Sequence, residues 1–171
     1  MTKILSRIAF VVFVLSTAHS AVAETDHEKG AVTVRVRAIR ASEMFPDRQQ
    51  RKAAGGLEID PLLEDLQEKL RKLHYRKYVL LDTKEKTILM EQKEIIDLVD
   101  GNELTLRPIY IKAIEPGNGH RVGMWIHWTD RAGTEVLDTR MHFSCGENML
   151  TGTEGTGDTG LVLAIRVTPK E

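Results

Sequence analysis

The sequence predicts an α+β domain, an antiparallel β-sandwich or curved sheet of about seven to eight strands with one amphipathic helix, about residues 61–74, packed on it. Three observations carry this. Strand-like segments recur at roughly ten-residue intervals with turn residues between them. A single stretch has the helical period of leucines. No internal repeat or long linker divides the chain.

Residues 1–23 have the layout of a cleavable secretory signal peptide. Lys3 and Arg7 precede an unbroken apolar run from Ile8 to Leu15, and the triplet Ala21-Val22-Ala23 stands before Glu24. A spanning helix needs about 20 apolar residues, and Arg7, Ser16, His19 and Ser20 bound this stretch too closely. No cysteine follows the cleavage triplet to be acylated. The expected product is a soluble periplasmic or secreted protein with no stable membrane anchor. Residues 24–30, polar and acidic, are expected to form a disordered mature N-terminus, and 31–171 a single strand-rich domain.

Val32, Val34 and Val36 alternate with Thr33, Arg35 and Arg37, the period of a strand with one buried face. From Glu43 to Gly56 no period would bury a face, and a loop is expected. Asp60-Pro61 then supplies a helix start, because Asp accepts from exposed backbone N–H groups and Pro suits the first helical position. Leu62, Leu63, Leu66, Leu70 and Leu73 follow at helical spacing, with charged residues between them. Such a stripe could receive a partner helix, but it serves more simply as the lid of a sheet.

Tyr78 to Leu81 reads as a strand and Asp82 to Lys86 as a polar turn. Thr87 to Val99 is read as a strand with Ile88, Met90 and Ile96 inward, a short helix being the alternative. Asp100-Gly101 signals a hairpin into Leu104-Thr105-Leu106. Pro108 removes a ladder donor, so its strand is expected at an edge or with a bulge. Beyond the turn from Glu115 to Gly119, Val122, Met124, Ile126 and Trp128 alternate with Arg121, Gly123, Trp125 and His127, which sets the two tryptophans on opposite faces. Asp130 to Gly133 reverses the chain. Leu137, Thr139, Met141, Phe143 and Cys145 then share a face, which predicts a buried Cys145. A glycine-rich hairpin loop from Gly152 to Gly160 leads to LVLAIRV, a run suited to a central strand covered on both faces.

Removal of Lys3 and Arg7 with the signal peptide leaves 22 basic against 25 acidic residues, which points away from nucleic acid as a partner. Cys145 is the single cysteine, so no disulfide can form within the chain and stability must come from packing.

The histidines are the natural place to look for a metal or acid/base site. His120, His127 and His142 lie on one expected hairpin with Cys145 close by. A turn centred between Ala132 and Thr134 sets His120 across from Phe143 and His142 across from Arg121, on opposite faces. A slip of one residue would set the two histidines opposite each other, within reach of one ion. Metal binding at His120, His127, His142 and Cys145 therefore depends on register. Ser144-Cys145-Gly146 offers a thiol with His142 and Glu147 nearby, but nothing orients a base on it. The glycines from Gly152 to Gly160 lack the Lys-Ser/Thr ending of a phosphate loop. No cofactor is expected, and no catalytic residue is assigned. Arg35 and Arg37, with Arg48, Arg51 and Lys52, could form a basic contact surface, and the outward one of the two tryptophans, Trp125 for choice, is a further partner-binding candidate.

The closing segment LDTRMHFSCGENMLTGTEGTGDTGLVLAIRV resembles a pattern of small exported proteins of Gram-negative bacteria whose function is uncharacterised: a strand, a glycine turn, a short strand, a second glycine turn and a closing strand. It is also similar to strand and turn segments of secretins, the outer-membrane gates of secretion and pilus systems. No residue with an assigned role lies within it, so no function is carried over. The expectation is a non-catalytic periplasmic or secreted binding module acting by protein–protein contact with a cell-envelope protein. The alternative is a small-ligand or metal-binding domain built on the histidine neighbourhood.

Overall fold

The structure, a computed structural model, describes residues 30–44, 56–114, 119–154 and 158–170, with the side chain of residue 154 left out. The expected signal peptide, most of the polar stretch after it, and the arginines and lysine at 48, 51 and 52 lie outside the described residues. Among those described, no helix is long and apolar enough to cross a membrane.

Among the described residues nine strands form two sheets, against the seven to eight expected: β1 (Ala31–Met44), β2 (Glu58–Ile59), β3 (Tyr75–Leu89), β4 (Glu94–Asp97), β5 (Glu103–Ala113), β6 (His120–Thr129), β7 (Glu135–Ser144), β8 (Asn148–Glu154) and β9 (Thr159–Lys170). A five-stranded sheet has the order β2-β3-β1-β9-β8 and a four-stranded sheet the order β4-β5-β6-β7. All pairs are antiparallel except the short contact of β2 with β3.

The alternation in the sequence sorts side chains between two cores. Val32, Val34 and Val36 of β1 and Leu163, Ile165 and Val167 of β9 meet Leu104, Leu106, Val122, Met124, Ile126 and Trp128 of the four-stranded sheet. The opposite face of the same strands, through Ile39, Ala41, Val162 and Ala164, packs with Tyr75 and Tyr78 under Leu63, Leu66 and Leu70. The molecule is thus three layers deep, and β9 is covered on both faces as its continuous apolar run predicts. Each leucine withdrawn from water contributes about 1.5–3 kcal/mol.

The leucine stripe is a lid, but a shorter one than expected, and Leu62 lies outside it, exposed to solvent. A 3-10 turn over Pro61–Leu66 runs into a single α-helical turn, α1 (Gln67–Leu70). Asp60 starts it as anticipated, one carboxylate oxygen accepting from the Leu62 N–H and the other from the Leu80 N–H of β3. Its end is held by Tyr78, whose hydroxyl donates to the Leu70 carbonyl at 3.0 Å. Leu73 lies beyond the helix and packs against the lower core.

Several strands differ from their sequence reading. The polar stretch from Asp82 to Lys86 is no turn, because β1 supplies a ladder that runs past it and holds β3 continuous to Leu89. The chain instead turns after Leu89, so the stretch from Thr87 to Val99 is divided between the end of β3 and β4, with Ile88 and Ile96 buried and Met90 partly so. Asp100-Gly101 does form the tight hairpin turn, both residues having positive φ (58° and 76°). Pro108 sits at a bulge, and the register shift there turns Ile111 back to the core face. The strand β1 runs into the expected loop as far as Met44, and β8 takes Gly152 and Thr153 out of the expected glycine-rich loop.

Candidate functional site

One face of the five-stranded sheet is roofed by the helix, whereas no described element covers the outer face of the four-stranded sheet. The register that buries Val122, Met124, Ile126 and Trp128 turns Gly123, Trp125 and His127 outward. Beside them stand Arg107 and Tyr110 of β5 and Asp138, Arg140 and His142 of β7.

Trp125 is the centre of this face. Its Nε1 donates to an Asp138 carboxylate oxygen at 2.5 Å, and its ring stacks on His127 at 5.6 Å with planes 6° apart. Two cations sit against the ring, the Lys93 ammonium at 5.3 Å and the Arg107 guanidinium at 5.8 Å from its centroid. At exposed sites each such contact contributes about 0.5–1 kcal/mol. His127 lies 3.5 Å from Glu135. The indole is thereby held in place on its strand, partly buried and with its polar edge engaged.

A second row lies next to it. The Tyr110 ring crosses Gly123 to reach His142, with hydroxyl and Nδ1 2.8 Å apart. A Cβ on Gly123 would stand 2.3 Å from Tyr110 Cε1, so only glycine admits the tyrosine. A glycine inside a strand of otherwise strict alternation signals such a close approach, and that signal could have identified Tyr110. Lys93, Arg107 and Asp138 carried no comparable mark, because each becomes a neighbour of Trp125 only through strand pairing.

The histidine candidates separate. His142 pairs with Gly123 and His120 starts β6 with its side chain exposed, two residues away from the expected register. The Asp130 carboxylate accepts from the N–H groups of Ala132 and Thr134, and a bulge before Thr129 follows, which together shift the strands. His120 and His142 keep opposite faces, and the slip that would join them does not occur. His127 belongs to the Trp125 row, four residues along the strand from Gly123. Among the described residues, no three His, Cys, Asp or Glu side chains are grouped to hold a metal.

Cys145 is exposed, which corrects the expected burial. The strand ends at Ser144, so the alternation that would have carried the thiol inward stops one residue short. Cys145 instead opens the turn into β8, its N–H bonded to the His120 carbonyl at 2.9 Å. His142 engages the Tyr110 hydroxyl through its Nδ1.

The two arginine candidates also differ. Arg35 pairs with Glu85 at 2.7 Å on the open part of the five-stranded sheet, where both side chains are about half exposed. Arg37, only 12% exposed, is used inside the fold as a bidentate partner of Asp65, with both bonds at 2.7 Å. It joins the helix to β1 and offers no free cation to a partner. Its guanidinium, through these hydrogen bonds, lowers the Asp65 pKa against the opposing effect of burial. A cleft of about 390 Å³ opens between the helix end and the β7–β8 turn, with Lys72, His142, Glu147 and Leu150 among its walls.

Compared with known proteins, the chain matches no family model and no curated sequence.

Proposed function

We propose that the exported chain is a non-catalytic binding module of the periplasm or the extracellular space, acting by protein–protein contact in the cell envelope through the outer face of its four-stranded sheet. The observation that supports this reading is Trp125, braced by Asp138, His127, Lys93 and Arg107 on a sheet face that no described element covers. Tryptophan and arginine are enriched among residues that dominate binding energy, and a side chain already held in place loses little entropy on contact. Arg107, Lys112, Arg121 and Arg140 gather at the half of the face around Gly123, away from Glu103 and Glu135 at its other end, and this basic half fits a partner surface bearing carboxylates.

The test is site-specific photocrosslinking in a Gram-negative envelope with the reactive group at position 140. A discrete protein adduct is expected, absent when the group stands at position 166 on the other sheet and lost in Trp125→Ala. Equal adducts from both positions, or an adduct indifferent to Trp125, would refute the assignment of this face.

A further inference from the structure

The described strands leave four sheet edges, and three carry charges that deter pairing. The open part of β3 holds Lys84, Glu85 and Lys86, the short β4 holds Glu94 and Asp97, and β7 holds Glu135, Asp138 and Arg140. The fourth edge, β8, has no charged residue from Asn148 to Thr153.

The ladder between β8 and β9 shows which backbone groups this edge presents. A Cβ on Gly160 would stand 2.5 Å from the Thr153 carbonyl oxygen, and one on Gly152 would stand 3.0 Å from the Leu161 carbonyl oxygen. Thr153 and Leu161 are direct partners, so their carbonyls face each other's strands as a hydrogen-bonded pair. Antiparallel alternation then turns the N–H and C=O groups of Leu150 and Gly152 away from β9. At the next outward position, the Asn148 carbonyl already accepts from Lys69.

On the helix side of this edge lies a hollow of about 190 Å³, walled by Leu73, Tyr75, Leu150 and Val162 and floored by Gly152. The absent side chain of Gly152 leaves it open.

We propose that β8 pairs antiparallel with β8 of a second copy of this chain, about a two-fold axis at Thr151. In that register Leu150 of each copy stands opposite Gly152 of the other, and opposite residues of an antiparallel pair project to the same face. Each Leu150 therefore enters the hollow over the other copy's Gly152, and the outward groups of both residues find partners. The ends agree in charge. Lys69 and Lys72, with Glu147 beside them, leave the Asn148 end basic on balance, exposed Asp158 follows the other end, and the two-fold axis sets one against the other. The register that pairs all of β8 with itself is the one centred on Thr151, since the strand runs from Asn148 to Glu154.

Sedimentation equilibrium on the protein purified after export tests this. A dimer is expected. Thr151→Lys and Thr151→Glu each set like charges across the axis, so each should raise the dissociation constant at least about tenfold, and an equimolar mixture of the two should dimerise again. Trp125→Ala should dimerise like the parent, which separates this inference from the contact face proposed above. Amide exchange at Leu150 and Gly152 in the unmodified protein should slow as concentration rises, a readout that needs no variant to fold. A monomer at every concentration, a dimer indifferent to both charges, a mixture no tighter than either variant alone, or β8 pairing with a strand of a different protein would overturn the proposal.

Discussion

Arg37 and Asp65 show how far one side chain departs from its reading as part of a strand's wet face. The alternation in β1 turns Arg37 outward, and the helix arriving over that face converts it into a joint between layers. Asp65 is half exposed, so solvent screens the pair and its contribution is modest, about 1 kcal/mol. Its pKa is lower in the folded state than in the unfolded chain. The pair therefore stabilises fully above the unfolded carboxylate pKa, and this contribution is lost as pH falls through the lowered folded value. Arg37→Met should cost about 1 kcal/mol at neutral pH, a difference from the parent that shrinks in acid below the ordinary carboxylate range, as chemical denaturation at a series of pH values would show. Asp60 works at the same scale. Asp60→Ala removes acceptors from both Leu62 and Leu80 and should cost about 1–2 kcal/mol.

At the scale of elements, turn chemistry was the most legible feature. Asp100-Gly101 demands positive φ at two successive positions, and both adopt it between β4 and β5. Gly101→Ala should cost about 1 kcal/mol in thermal denaturation, because the added Cβ is strained there and meets the Arg131 side chain at 3.0 Å. The bulge at Pro108 was legible for an equally local reason, a missing N–H. The span of β3 was not, since Asp82 to Lys86 is strand only because β1 pairs with it along its length. At Gly123 local and tertiary information meet. Gly123→Ala should displace the Tyr110 ring, cost about 1–2 kcal/mol and break the contact with His142, visible as a changed imidazole chemical shift at fixed pH in NMR.

For the whole molecule, two cores share two strands. β1 and β9 send alternate side chains into the layer between the sheets and into the layer under the helix. Neither core can open without disturbing the strands of the other, so the domain should unfold in one transition. Leu66→Ala, under the helix, should cost about 2–5 kcal/mol and lower the midpoint for fluorescence of the tryptophans on the other sheet by the same amount as for circular dichroism. Separate midpoints for the two probes would show that the helical layer opens by itself.

The core positions of β1, β6 and β9 and the turn at Asp100-Gly101 were determined by the sequence alone, whereas the turn expected at Asp82 to Lys86 and the burial expected of Cys145 were not. The periods of β1, β6 and β9, the start at Asp60 and the turn at Asp100-Gly101 depend on neighbours a few residues away. What only the tertiary structure decided is which outward residues meet. The offset of β7 against β6 follows from the Asp130 turn and one bulge, and it separates the histidines and gives Trp125 its Asp138 partner. The exposure of Cys145 follows from where a strand stops, and the bareness of β8 from where a sheet stops. Hydrophobic period is a property of one segment. Register, strand ends and sheet edges are properties of pairs, and a single strand carries no record of its partner.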